Sequence, residues 1–340
     1  MTSARLSLAL AGPGALPREG GILVLGPQDP AGLEPLPRDR SCVVQGFRPL
    51  HDALAAAGWQ VLPELPPIGA VRAGDLAAAV IFLPRSRAAA RALVAAAATR
   101  LPAGAPVWID GQKSDGIDAM LRELRARATV SEALSKAHGK IFRLDLLAAD
   151  AFADWAAAWM KPAPGFVTLP GVFSAEKVDR GSALLAAALP ALSGRVADLG
   201  AGWGWLSAQM LGHSGVTELH LVEADHAALE AARANLRDPR ARFHWADATR
   251  FHAAGRFDAI VMNPPFHVAR AAEPDLGQGF IRAAARLLSP AGRLFMVANR
   301  HLPYEAVLAE AFREQGEIGG DGSFKLFAAR HPRGPGRARR

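Results

Sequence analysis

Short apolar runs alternate with longer alanine-rich stretches along the first half of the chain. The runs are rich in branched residues and bounded by glycine or proline, as buried strands are. They are GILVLG (21–26), SCVVQG (41–46), AVIFLP (79–84) and APVWID (105–110). Segments 85–101 and 117–128 between them predict helices. Alternation of this kind predicts a mainly parallel sheet with helices on both faces.

The same alternation restarts after MKPAPGFVTLPGVF (160–173), which is crowded with proline and glycine and which we interpret as a linker. The strands predicted beyond it are 195–200, 218–224, 242–247, 257–263 and 293–299, and the helices are 203–212, 225–237, 275–288 and 304–314. We therefore expect two tandem α/β domains, at 1–155 and 165–330. The arginine-rich end, 331–340, has nothing to bury and is expected to be a disordered basic tail.

Composition narrows the class of protein. No stretch approaches the roughly 18–20 apolar residues that cross a bilayer, and the first residues lack a convincing signal peptide. We therefore expect a soluble, cytoplasmic protein with no membrane contact. The single cysteine, Cys42, excludes an internal disulfide and a thiolate zinc cluster, so no metal is expected. The net charge of +7 favours a polyanionic partner, although scattered surface arginines would give the same total.

The segment VADLGAGWGWLS (196–207) predicts a strand, a glycine-rich turn and the start of a helix. Gly200, Gly202 and Gly204 would let the backbone turn sharply and approach a ligand closely. A dinucleotide fingerprint needs a further glycine at 205, where Trp205 stands. Asp198 before the turn suits a cofactor with a cationic amino-acid part, because a carboxylate repels a pyrophosphate.

Two more carboxylates follow strands on the same edge of the predicted sheet. Glu223 lies nineteen residues after Gly204, a spacing typical of an acidic residue that accepts hydrogen bonds from ribose hydroxyls. Asp225 is better explained as a helix N-cap. Asp247 ends the third strand, where either contact with an adenine or capping of a helix is expected.

The fourth strand ends in VMNPPFH (261–267), where two prolines lock Asn263 and Pro264 into extended geometry. The Asn263 side-chain oxygen and the Pro264 carbonyl can then both act as rigid acceptors. Two fixed acceptors match the two hydrogens of a planar amine, and they pull its nitrogen toward tetrahedral geometry. Phe266 supplies a face for stacking a base; the competing interpretation is a tight turn with a core phenylalanine.

These motifs together resemble the class I S-adenosylmethionine-dependent methyltransferases, and more closely the tandem-domain bacterial small-subunit rRNA (guanine-N2)-methyltransferases. The closer resemblance rests on LPGVFSAEKVDRGS, NPPFH, VANRHLPY and DGSFKLF within 160–330. It implies two Rossmann-like domains, a degenerate N-terminal one and a catalytic one with a seven-stranded mixed sheet.

The resemblance also implies the chemistry and the residues that carry it. S-adenosyl-L-methionine (AdoMet) would donate a methyl group to guanine N2 in 16S rRNA of the small ribosomal subunit. Cofactor binding falls to the residues Asp198, Gly200, Gly202, Gly204, Glu223, Asp247 and Asn263, and catalysis to Asn263, Pro264, Pro265 and Phe266. Phe173, Ser174, Asp179 and Ser182 match a lid segment whose individual roles stay open.

Several alternatives stay open at this point. A 23S rRNA guanine-N2 methyltransferase, or an enzyme acting on protein glutamine or DNA adenine, would use the same two acceptors. A non-enzymatic RNA-binding protein with an idle cofactor fold is a further candidate. In the first domain, Arg122, Arg125, Arg127, Lys136 and Lys140 could line an RNA track or simply form a solvated face. We expect a monomer.

Overall fold

The structure is a computed structural model that describes residues 2–12, 14–67, 75–146, 148, 150–265, 267–268, 271–272 and 274–333. It divides into two compact units. The first comprises residues 1–159 with 169–171, and the second comprises 160–168 with 172–340.

The first unit is built on one seven-stranded sheet. Its strands are β1 (Gly21–Leu25), β2 (Ser41–Val44), β3 (Gln60–Leu62), β4 (Leu76–Phe82), β5 (Pro106–Gln112), β6 (Leu134–Lys136) and β7 (Gly139–Asp145). Its α-helices are α1 (Thr2–Leu10), α2 (Arg48–Ala56), α3 (Arg87–Ala98) and α4 (Ile117–Arg125). The strand order is β3-β2-β1-β4-β5-β7-β6. Strands β1 to β5 pair in parallel, and β7 is antiparallel to both of its neighbours.

The second unit begins with a hairpin of β8 (Met160–Ala163) and β9 (Phe166–Thr168), where the sequence predicted a linker. Its sheet contains β10 (Ser193–Leu199), β11 (Gly215–Glu223), β12 (Ala241–Trp245), β13 (Phe257–Met262), β16 (Leu288–Asn299), β17 (Phe312–Gly320) and β18 (Phe324–Pro332). The short strands β14 (His267–Val268) and β15 (Ala271–Ala272) pair with each other. The helices are α5 (Arg180–Ala188), α6 (Trp205–Leu211), α7 (His226–Asn235), α8 (Pro274–Leu287) and α9 (Glu305–Ala311).

The two sheets have the same strand order and the same directions. The second is ordered β12-β11-β10-β13-β16-β18-β17, with β18 antiparallel to β16 and β17. The fold is therefore α/β with two Rossmann-like domains in tandem, as the sequence predicts. Strand β18 ends at Pro332, so residues 331 and 332 belong to the sheet and not to the expected tail. Residues 334–340 lie outside the described part of the chain.

Both faces of each sheet are buried because the strands carry apolar side chains in both directions. In β4, Ile81 packs into a cluster with α3 and α4, while Val80 packs into a cluster on the other face with Leu6 of α1. In β10, Leu199 and Val196 likewise belong to different clusters. This two-sided burial is what parallel sheets require, and it leaves the carboxyl ends of the strands as the exposed edge where polar residues can gather.

Candidate active site

Asn263 follows β13 at the carboxyl edge of the second sheet, and its side-chain amide has a defined orientation. The Nδ2 group donates to Asp179 Oδ2 at 2.8 Å and to Ser182 Oγ at 2.8 Å. The Oδ1 atom is buried and has no hydrogen-bond partner among the residues that the structure describes. Both donors are therefore used by the protein, and the acceptor is left for a ligand.

Asp198, the last residue but one of β10, presents a second unsatisfied acceptor. Its side chain is 1% exposed and accepts a hydrogen bond from Ser207 Oγ at 2.6 Å through Oδ2. Its Oδ1 atom is buried, and no described residue forms a hydrogen bond with it. Burial raises the pKa of Asp198 to about 7, and the nearby Glu223 carboxylate adds to the rise. A buried anion with a free oxygen is a strong attractor for a cationic ligand group.

Glu223, at the end of β11, holds the glycine-rich turn. Its Oε2 accepts from the Gly202 N–H at 2.8 Å, and its Oε1 accepts from the Asp225 N–H at 2.8 Å. Burial raises the pKa of Glu223 to about 7. Each carboxylate oxygen has two lone pairs, so one on each oxygen stays free to accept from a pair of hydroxyl groups.

The turn itself needs glycine at three positions. Gly200, Gly202 and Gly204 have φ angles of 78°, 55° and 85°, in the left-handed region that other residues avoid. A Cβ at Gly202 would meet nothing within 4 Å. Because Gly202 lines the cleft, this open space is where a bound molecule can approach the backbone.

One cleft in the second unit joins these features, and the turn, the start of α6, the residues before α5 and Asn263 all contribute to it. Its lining comprises Phe173, Ser174, Val178, Asp179, Ser182, Asp198, Gly200, Ala201, Gly202, Trp203, Trp205, Leu206 and Asn263. The Phe173 side chain is 59% exposed although it is large and apolar. Ser174 beside it has a φ of 51°, a strained value for a serine. The segment that contains Phe173 therefore presents an aromatic face to the cleft.

The remaining site residues from the sequence are placed differently. Asp247 Oδ1 accepts from the N–H of Thr249 at 2.8 Å and from its hydroxyl at 2.7 Å. Residues 248–250 form a turn and not a helix, so the helix cap expected as the alternative role of Asp247 is wrong. Pro264 is buried and Pro265 is exposed. Phe266 lies outside the described residues. Within the described part of the chain, no group of three or more His, Cys, Asp or Glu side chains could hold a metal ion.

Asp179 and Ser182 acquire a function that sequence reasoning left open. Asp179 is the N-cap of α5, where its Oδ2 accepts from the Ser182 N–H at 2.8 Å. The D-x-x-S spacing is a recognisable capping signal. Their contact with Asn263 crosses 84 and 81 residues of sequence, and no local pattern reports it.

The first unit has the same framework without the polar groups. Gly26 N donates to Val44 O, as Gly200 N donates to Val222 O, so Gln45 occupies the position of Glu223. Gln45 Oε1 accepts from the Phe47 N–H as Glu223 accepts from that of Asp225, but Gln45 Nε2 donates to Pro27 O in the turn. Strand register places Val24 at the position of Asp198 and the buried Phe82 at that of Asn263.

The basic residues proposed for an RNA track are partly paired with acids. Arg127 bonds to Asp154 at 2.7 Å, and Lys140 pairs with Asp118 at 2.6 Å. Arg125 and Lys136 are exposed. Among the residues that the structure describes, no helix is long and apolar enough to cross a membrane.

The second unit has a seven-stranded sheet of this order. A glycine-rich turn with an acidic residue before it follows the first strand, and N-P-P follows the fourth. These features together define the second unit as a methyltransferase domain. The family model described as "Methyltransferase small domain" matches residues 164–328.

Relatives cover about three quarters of this chain or more. The ribosomal RNA small subunit methyltransferases C of Klebsiella pneumoniae subsp. pneumoniae and of Salmonella choleraesuis are each 32% identical, over 73% of this chain and 74% of their own. The solved T. thermophilus 16S rRNA N2 G1207 methyltransferase (RsmC), in complex with AdoMet and guanosine, aligns with a TM-score of 0.78 at 27% identity. That alignment covers 97% of this chain and 91% of the other. The chain belongs to the ribosomal RNA small subunit methyltransferase C family.

Proposed function

We propose that this protein transfers a methyl group from AdoMet to the exocyclic N2 of a guanine in 16S rRNA. The observation that carries the proposal is the buried, unpartnered Asn263 Oδ1 in a cleft that also contains the unpartnered Asp198 Oδ1. One acceptor suits an amine hydrogen and the other suits a cation. The relatives are named as small-subunit rRNA methyltransferases, and the solved one is in complex with AdoMet and guanosine.

The described residues fit AdoMet. Asp198 Oδ1 would accept from the cationic amino-acid part, because a buried carboxylate is stabilised by an opposite charge. Glu223 would accept from the two ribose hydroxyls through its free lone pairs, and the open space at Gly202 admits the ligand. AdoMet supplies an electrophilic methyl group on a positively charged sulfur. Asp247 Oδ1 is occupied by Thr249, so a contact of Asp247 with the adenine would use Oδ2.

The substrate amine would be oriented by this chain's own acceptors. Asn263 Oδ1 would accept one N2 hydrogen and the Pro264 carbonyl the other, with Pro265 fixing the backbone between strand and loop. The nitrogen lone pair is then directed at the methyl group. The amine becomes cationic in this step and can release its proton to water afterwards, so catalysis rests on positioning and charge complementarity rather than on a side-chain base.

The flipped guanine would stack on an aromatic side chain. The sequence assigns this role to Phe266. Phe173 is a second candidate because it is exposed at the mouth of the same cleft. A base stacked on an aromatic residue gains roughly 1–3 kcal/mol, which helps to offset the cost of leaving the RNA helix.

The first unit would contribute RNA contacts and stability rather than a second cofactor site. The positions of the acidic and amide acceptors of the second unit are occupied in the first unit by Val24, Gln45 and Phe82. In addition, Gln45 Nε2 donates to the turn that a cofactor would contact. Exposed Arg125 and Lys136 would meet phosphates of the small ribosomal subunit. We further propose that the protein acts as a monomer in the cytoplasm.

The test is transfer of labelled methyl from AdoMet to purified small subunits and to protein-free 16S rRNA, followed by mapping of the modified nucleotide. We expect N2-methylguanine at one position, and Asn263→Ala is expected to abolish transfer while AdoMet affinity stays within a few-fold of wild type. Large ribosomal subunits and DNA are assayed in parallel, and label in 23S rRNA, in protein or in DNA adenine in place of 16S rRNA would show a different substrate class. Turnover retained by Asn263→Ala would refute the acceptor role.

A further inference from the structure

The amide of Asn263 is held from behind by two residues of the lid and of α5. Asp179 Oδ2 and Ser182 Oγ each accept one of the two Nδ2 hydrogens, both at 2.8 Å. A reversed amide would turn Oδ1 toward a carboxylate oxygen and would point a donor at the substrate amine, which is itself a donor. The two contacts therefore decide which end of the amide faces the cleft.

We infer that Asp179 is a positioning residue for methyl transfer, which acts by orienting the side-chain amide of Asn263. Ser182 contributes to the same orientation. This inference rests on the proposed function, because it requires Asn263 Oδ1 to accept the target amine. Two independent observations carry it: both amide hydrogens are bonded to these side chains, and Oδ1 is buried in the same cleft without a partner.

Asp179 also affects the strength of the acceptor. A hydrogen bond from an amide N–H to a carboxylate draws electron density toward the amide oxygen, and hydrogen bonds in a chain strengthen one another. Asn263 Oδ1 would thus become a better acceptor as positive charge develops on the substrate nitrogen. Ser182 provides the same geometry without a charge, so its contribution is expected to be smaller.

Asp179 has a separate structural task, which the test must hold constant. It caps α5 by accepting from the Ser182 N–H. Asp179→Ser keeps a good N-cap residue, and its shorter side chain is expected to lose the contact with Asn263. Asp179→Asn keeps the shape and the cap and removes only the charge. The two variants therefore separate capping, hydrogen bonding and charge.

We expect Asp179→Ser to lower kcat by roughly 10- to 100-fold, the equivalent of one hydrogen bond to a charged group. Its thermal unfolding midpoint should stay within about 3 °C of wild type. The AdoMet Kd and the KM for RNA should change less than about threefold, because neither ligand loses a direct contact. Asp179→Asn should retain more activity than Asp179→Ser, since neutral hydrogen bonds have roughly half the strength of charge-assisted ones. Ser182→Ala should lower kcat less than Asp179→Ser does.

Ser86→Ala serves as the matched control, because it removes the cap of α3 in the first unit, where Ser86 Oγ accepts from Ala89 N. Its kcat should match wild type. A normal kcat for Asp179→Ser would overturn the inference, and so would a loss confined to AdoMet affinity, which would make Asp179 a direct cofactor ligand. The proposed function fails separately, if Asn263→Ala keeps its turnover. If Asn263→Ala is inactive and Asp179→Ser has the kcat of wild type, the positioning role of Asp179 is refuted and the proposed function is not.

Discussion

Asp198→Asn tests the electrostatics of the cofactor site through stability as well as binding. In the free protein, the ionised Asp198 is disfavoured because burial raises its pKa from 3.8 to about 7. That difference corresponds to roughly 4 kcal/mol lost by the folded state once the group is ionised. Asparagine avoids this loss, but its Nδ2 would replace the unpartnered Oδ1 as an unsatisfied donor, at a cost of about 1–3 kcal/mol.

The sign of the difference depends on pH. Because the folded-state pKa is above the unfolded one, the destabilisation of wild type is absent below about pH 4, grows as pH rises toward 7 and is constant above it. At pH 8, Asp198→Asn should therefore be more stable than wild type by about 1–3 kcal/mol. Near pH 4 the order should be reversed, because the ionisation loss of wild type is then absent and only the unsatisfied amide of the variant counts.

Urea unfolding of both proteins from pH 4 to 9 measures this difference directly. If the two units unfold in separate transitions, only that of the second unit should shift. Titration with AdoMet should show weaker binding by the variant, and saturating AdoMet should therefore stabilise wild type more than the variant at pH 8. A stability difference that is the same at pH 5 and at pH 8 would refute the assignment of a buried, ionisable Asp198.

Three further changes address separate features. Glu223→Gln should weaken AdoMet binding, measured by calorimetry, at least about tenfold. The reason is that a side-chain amide cannot accept hydrogen bonds from both the Gly202 and Asp225 N–H groups. An unchanged affinity would contradict the proposed contact of Glu223 with the ribose. Phe173→Ala should lower kcat/KM for RNA by about tenfold or more. Stability and AdoMet affinity should change little, since the side chain is mostly exposed. An unchanged kcat/KM would show that Phe173 is not part of the substrate site. Gly277→Ala should destabilise the fold by about 3 kcal/mol in denaturant titrations, because its Cβ would overlap the phenol of the buried Tyr304, whereas Gly316→Ala, whose Cβ meets nothing within 4 Å, should have little effect.

Hydrophobic patterning predicted the parallel strands of both sheets except β3, and it missed β6, β7, β17 and β18 at the antiparallel end of each sheet. The runs 195–200 and 257–263 became β10 and β13 with small changes at their ends. The edge strand β17, Phe312–Gly320, is mostly exposed and carries charges and glycines, so its sequence has no strand signal. Its N-terminal residues were predicted to continue the helix from 304. The hairpin β8–β9 was missed because its prolines and glycines indicate a linker as readily as a turn.

The sequence by itself determined the class of chemistry, because the backbone conformation at the site is imposed by residues that are adjacent in the chain. Three glycines at alternating positions impose the turn after β10, and two prolines impose the extended geometry at Asn263. The tertiary structure alone decided which polar atoms are left free. The free Asn263 Oδ1 depends on Asp179 and Ser182, more than eighty residues away. The raised pKa of Asp198 depends on burial by the whole sheet, and a carboxylate's surroundings in three dimensions are not encoded in its neighbours along the chain.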